Sequence, residues 1–251
     1  MVNIRNRAII LTRILGQKLI LNKYLTDEDV QIVEDSLEVQ RKWLRALEEL
    51  EARTTLSKED ATTISVLKAQ HYCMYIVTIR AVPTDQTAFD QHLDIFKAMM
   101  HHSKIAIEGM ESNRSASPGA NFTFDLGIIL GIYIVACRCR CPVTRREAIA
   151  LLERGLPREG LWDAQQHVLV AKRILEIEES ELDPVTGWPT ERVRIWSSQI
   201  HGDVDADGKF QVWFARGHWG EGRGTPPLPP HWVLERFPET LMWREWFVLK
   251  E

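Results

Sequence analysis

Residues 121–163 read NFTFDLGIILGIYIVACRCRCPVTRREAIALLERGLPREGLWD, and this stretch decides the fold. Its centre, Leu126–Cys137, carries no charged and almost no polar side chain. It is well short of the ~20 apolar residues needed to span a bilayer. A helix that is apolar on every side belongs instead at the middle of a globular core. The reading predicts a buried helix over about 124–140, with the rest of the chain packed round it. Gly127 and Gly131 form a small-xxx-small pair. In a membrane that pair would suggest dimerisation; here it predicts a close approach by a neighbouring helix. Pro142 either ends this helix or opens the next.

The chain of 251 residues is 45% hydrophobic and 26% charged. That composition is ordinary for a globular protein, and the length suffices for a substantial core in one large domain or two small ones. A net charge of −4 and a pI near 6.1 supply no basic field. Direct nucleic-acid binding by this chain is therefore not expected, nor is membrane insertion. Three of the four cysteines sit in Cys137-Arg-Cys139-Arg-Cys141. They are too close for ordinary bridges and read as reduced intracellular thiols. The N-terminal segment carries Arg5, Arg7, Arg13, Lys18 and Lys23 and no acid before Asp27. A mitochondrial presequence shares that profile, but this segment lacks serine and leads into a capped helix. A nuclear or cytoplasmic protein is expected, with mitochondrial import as the minor alternative.

Outward from the centre, Ile4, Ala8, Leu11 and Leu15 predict a first helix over 3–22. Thr26-Asp27-Glu28-Asp29 supplies a hydroxyl cap and acids at the positive end of a second helix, which Val33, Leu37, Leu44 and Leu47 carry to about Leu50. Ser57 followed by Asp60 is a capping box with Asp in place of Glu. It opens a helix with Ile64, Leu67, His71 and Met74 on one face, stopped near Pro83. Thr84-Asp85 caps the next, whose face is Phe89, Leu93, Phe96, Met100 and Ile107, and Ser112–Gly119 reads as a loop. After the central helix come a short helix over Arg145–Arg154 and a longer one over about Leu161–Glu181.

From Glu191 alternation replaces the helical period. Val193 and Ile195, then Phe210, Val212 and Phe214, with Asp207-Gly208 between them, predict a β-hairpin at about 192–201 and 209–216. The expected architecture is thus mostly α. It has a helical domain over 1–190, a hairpin over 191–216 packed on it, and an irregular Pro/Trp-rich tail over 217–251. Within that tail, Pro226-Pro227-Leu228-Pro229-Pro230 favours polyproline II, more simply a linker than a ligand for a proline-binding domain.

No motif assigns chemistry. Asp203, Asp205, Asp207 and Gly208 match the first half of a calcium loop, but the position that needs a bidentate Glu is Phe214. Cys137 and Cys141 would share a helical face, yet structural zinc wants four ligands and only Cys73 remains beyond the cluster. Neighbouring His101 and His102 point about 100° apart on a helix and cannot chelate together. The glycines after Gly217 lack phosphate-loop spacing, and no hydrolase or metalloprotease signature is present. Pairs such as Asp125 with Arg145 or Glu159 read as caps and ion pairs. No catalytic, cofactor-binding or metal residue is assigned, no cofactor is expected, and the chain is not expected to be an enzyme.

The block Phe122–Pro142 (FTFDLGIILGIYIVACRCRCP), Arg145-Arg146, Ala148–Leu152 (AIALL) and Pro157–Asp163 (PREGLWD) resembles the C-terminal half of the regulatory region of fungal binuclear zinc-cluster transcription factors. The likeness extends to Thr87–Phe96 (TAFDQHLDIF), Ile174–Glu179 (ILEIEE) and Glu191–Trp196 (ERVRIW), about half the chain. The family's six-cysteine DNA-binding cluster has no counterpart here. Cys141 stands in place of an Asp, and Leu130-Gly131 stands where two prolines are common. The resemblance implies a helical regulatory domain acting through a protein partner or as a homodimer, or as a fragment of a longer regulator, with a small-molecule effector as a candidate ligand. The alternative is a helical-scaffold enzyme or metabolite-binding protein whose pocket recruits His71, Asp125 or Tyr133.

Overall fold

The computed structural model describes residues 4, 6–11, 14–15, 26–81, 86–114, 122–123, 127–201, 204–216 and 242–249. A first helix, α1, is described over residues 6–11 and again at 14–15. Then follow α2 (Asp27–Arg53), α3 (Lys58–Ile79), α4 (Leu93–Arg114), β1 (Phe122–Thr123), α5 (Ile128–Arg138), α6 (Pro142–Leu152), β2 (Arg158–Glu159) and α7 (Ala164–Glu178). A three-stranded antiparallel sheet closes the chain, β3 (Ile195–His201), β4 (Lys209–Arg216) and β5 (Met242–Val248), in the order β3-β4-β5. None of the described helices is long and apolar enough to cross a membrane.

The helix starts follow their capping chemistry. Asp29 N donates to Thr26 Oγ1 at 3.2 Å while Thr26 N donates to Asp29 Oδ2 at 2.9 Å. Ser57 and Asp60 repeat the exchange at 3.1 and 3.2 Å. Each cap is worth about 1 kcal/mol. Pro142 occupies the first turn of α6, where its missing N–H costs nothing. The expected cap Thr84-Asp85 and the loop residues 115–119 lie outside the described residues. Gln86–His92 is a 3-10 turn rather than α-helix, and α4 continues through Ser112 to Arg114.

Helix α5 is the centre of the core, with every side chain from Ile128 to Arg138 buried except half-buried Leu130. Helix α3 is less one-sided than its apolar stripe predicts. Ser65, Lys68, Ala69, Cys73, Ile76 and Thr78 are buried as well as Ile64, His71 and Met74, because α2, α4 and α5 all pack against it. The close approach expected at Gly131 is present but is not the tightest. A Cβ on Gly131 would meet Met99 Sδ at 3.4 Å and Cys73 Cβ at 3.6 Å, ordinary contacts. A Cβ on Gly109 would meet Thr62 Cγ2 at 2.3 Å, so the tight crossing is α3 with α4.

The hairpin forms with Gly208 at φ +75°, a conformation that favours glycine. Its first strand begins at Ile195, because Glu191–Val193 makes a 3-10 turn. Where the tail is described it needs a correction, since Met242–Val248 is a third strand; residues 217–241, with Pro226–Pro230, lie outside the described residues. Phe247 pairs with Phe210 and Trp243 with Phe214, their rings stacked at 5.4 and 5.5 Å. Phe210, Val212 and Phe214 seal the sheet onto the helical core.

Candidate functional site

Both ends of α5 are buried, and a helix end leaves backbone groups unpaired. At its C-terminus the partners are arginines. Arg194 Nη2 donates to the carbonyls of Cys137 (3.2 Å) and Arg138 (2.9 Å), and Arg145 Nε donates to that of Ala136 (3.0 Å). Arg138 turns to the sheet, donating to Gln86 Oε1, to Ile195 O at 3.0 Å and to Trp196 O at 2.6 Å. Glu178 on α7 is the counter-charge. Its Oε2 lies 2.7 Å from Arg145 Nη1 and also pairs with Arg194 Nη1, while Oε1 accepts from Ile195 N at 2.8 Å. Arg145, Arg194 and Glu178 are fully buried. Burial pushes Arg138 down to about 9 and Arg194 down to about 10, which leaves both charged at neutral pH. Cations at this end also suit the helix dipole.

The N-terminus of α5 uses one carboxylate. Gly127, at φ +26°, provides no side-chain cap. The amides of Ile128 and Ile129 instead donate to Glu159 Oε1 at 3.3 Å and Oε2 at 2.9 Å. Parallel pairing of β1 with β2 holds Glu159 there. So does a turn in which Glu159 and Trp162 exchange backbone hydrogen bonds of 2.9 Å across Gly160 at φ +57°. Burial pushes the Glu159 carboxyl up to about 7, against the two amides that lower it. The Arg145 and Glu159 singled out in sequence therefore sit at opposite ends of α5, and Arg145 takes Glu178 as its partner. Asp125 lies outside the described residues.

Beyond the Glu159 turn, α5, the start of α7 and β3 enclose a half-open cleft of about 650 Å³, within the ~300–1,000 Å³ of small-molecule sites. Three rings form its aromatic wall. Tyr133 and His167 meet edge-on at 4.6 Å between centroids, Trp162 and His167 lie 4.8 Å apart, and Tyr133 and Trp162 6.4 Å. His167 Nδ1 is 2.6 Å from the Asp163 carbonyl oxygen and so carries the proton, leaving Nε2 as an acceptor. Burial lowers its pKa and keeps the ring neutral. The Tyr133 hydroxyl, held well above its ordinary pKa by burial, is 2.6 Å from Ser198 Oγ. Leu161, Gln166, Gln199, Ile200 and Val204 also line it, and exposed Arg158 lies at the rim, its Nε donating to Gly160 O at 3.0 Å. No carboxylate is among the described lining residues.

The other residues weighed from sequence lie elsewhere. His71 is a core side chain, stacked on Trp43 at 5.4 Å and pushed down to about 4 by burial. His102 stacks on Tyr72 and is likewise pushed down to about 4 by burial. Cys137 and Cys141 do not share a helical face, because α5 ends at Arg138 and Cys141 is the N-cap of α6. Burial pushes the Cys137 and Cys139 thiols up to about 11. For Cys141 burial raises the pKa too, but the amides of Thr144 and Val143 outweigh it and the net shift is down. In the hairpin loop, Asp205 Oδ1 accepts from Asp207 N at 2.9 Å and Lys209 N at 2.7 Å, which ties it to the turn. Among the described residues no three His, Cys, Asp or Glu side chains converge as metal ligands would. Of the two described residues named for a pocket, Tyr133 lines this cleft and His71 does not. His167, Trp162 and Ser198 went unassigned, although Trp162 lies in the PREGLWD block.

A 63-residue segment, 25% of the chain, is 36% identical to the Aspercryptin biosynthesis cluster-specific transcription regulator atnN of Emericella nidulans. The chain spans 10% of the length of that regulator. No family model matches the chain, and no solved structure matches it. Part of this mostly helical protein is thus related to a fungal transcription regulator.

Proposed function

We propose that the chain is a regulatory and interaction domain of the kind found in fungal transcription regulators of metabolism. The observation that carries this reading is the 36% identity over 63 residues to a cluster-specific transcription regulator. The fold agrees with a scaffold for contacts. Exposed Ile9, Ile10 and Ile14 on α1, and Val30, Val39 and Leu50 on α2, supply apolar side chains for a protein partner or a second copy. The domain acts in the nucleus through such contacts, and DNA is read by another module or another chain.

The test is a fusion of the whole chain to a heterologous DNA-binding module, assayed on a reporter in a filamentous fungus. The expected result is reporter output that rises or falls relative to the module alone. Unchanged output, with the fusion present in the nucleus at the level of the control, overturns the reading.

A further inference from the structure

The cleft between α5, α7 and β3 has features that core packing does not require. Its aromatic wall is contiguous, since each of Tyr133, Trp162 and His167 contacts the other two. Such a wall takes a flat ring by edge and face contacts. The polar groups at the same wall are neutral: the Tyr133–Ser198 hydroxyl pair, the amides of Gln166 and Gln199, and His167 with its proton fixed on Nδ1. The only charge among the described lining residues is the guanidinium of Arg158. Among the described residues, the carboxylates of Asp163 and Glu159 beside the cleft are already engaged. Asp163 accepts from the amides of Gln165 (2.9 Å) and Gln166 (3.1 Å) at the start of α7, and Glu159 accepts from the amides that open α5.

We propose that this cleft binds a small planar aromatic carboxylic acid, its ring laid against the wall of Tyr133, Trp162 and His167 and its carboxylate at Arg158. An aromatic cage can also hold a cation. Here the rim arginine opposes one, and no carboxylate among the described lining residues offsets that repulsion. An anion gains the guanidinium as a charged donor. The site stands on the geometry of this chain, so it holds or fails independently of the regulatory reading.

Three probes that share one ring separate the outcomes: indole-3-acetate, indole-3-acetamide and tryptamine, an anion, a neutral amide and a cation. Each is titrated into the full chain by calorimetry. Saturable one-to-one binding is expected, in the order acid, then amide, then amine. Arg158→Gln, at an exposed position, brings the acid down to the level of the amide, a loss of about fivefold for a solvent-screened rim charge. Trp162→Ala abolishes binding of all three. Because Trp162 also closes the Glu159 turn, Ile200→Trp fills the cleft from the sheet side with that turn intact, and it abolishes binding too. The proposal is overturned if the wild-type chain binds none of the probes, if tryptamine binds as tightly as the acid, or if Arg158→Gln leaves acid binding unchanged. It is also overturned if binding survives Ile200→Trp.

Discussion

At the C-terminal end of α5, the carbonyls of Ala136, Cys137 and Arg138 are met by two arginines that share the buried Glu178. At its N-terminal end, two amides are met by a single carboxylate from Glu159. The first end joins α5, α6, α7 and β3 with side chains that are fully buried. The second is held by a short turn, and the cleft opens beyond it. One helix thus carries a closed ionic joint at one end and a ring-lined opening at the other. Buried charge that is paired fixes geometry, and a wall of neutral polar groups beside the one cation among the described lining residues leaves room for a ligand.

Removing the joint should have the largest effect. Glu178→Gln leaves Arg145 and Arg194 without their counter-charge and should cost about 3–5 kcal/mol in urea unfolding, as for other broken buried pairs. A loss of about 1 kcal/mol or less, typical of a surface pair, would remove the contrast between the ends.

The other end should show itself through pH. The Glu159 carboxyl has a raised pKa in the folded chain, so the native state binds its proton more tightly than the unfolded state does. Its contribution is complete below about 4.5 and is lost as pH rises through about 7. Glu159→Gln has no such titration. The stability of the wild type relative to this variant should fall by about 3 kcal/mol across that window. A difference that rises with pH would show the carboxylate to be stabilised by the α5 amides rather than penalised by burial.

Tyr133→Phe removes the hydroxyl that meets Ser198 at 2.6 Å. It should cost about 1 kcal/mol, one ordinary hydrogen bond, in thermal unfolding near neutral pH. Midway along the helix, Gly131→Ala should change stability least. The new methyl makes only ordinary contacts with Met99 and Cys73, and alanine favours the helix by up to about 1 kcal/mol. A clear loss there would restore Gly131 as the tight crossing.

What was legible in the sequence follows from how local each signal is. The Thr26/Asp29 and Ser57/Asp60 exchanges involve residues three apart, so the helix starts could be read directly. The apolar run of α5 and the Asp-Gly turn of the hairpin were equally local. Strand β5 was missed because its inward face carries a charge. Glu245 stands between Trp243 and Phe247 there, and Arg173 satisfies it from α7 with Nε at 2.7 Å. The one-sided reading of α3 failed because burial on several sides erases the amphipathic stripe. The cleft gathers Tyr133, Trp162, His167 and Ser198 from three separated segments, and each residue type is ordinary where it stands. Only the fold brings them together.

The most direct test of this contrast is a backbone amide NMR titration of the full chain with indole-3-acetate. The account predicts saturable shifts at Tyr133, Trp162, His167 and Ser198, with the amides of Arg138, Arg145 and Arg194 unmoved. Shifts centred on the arginine joint, or none at the cleft, would contradict it.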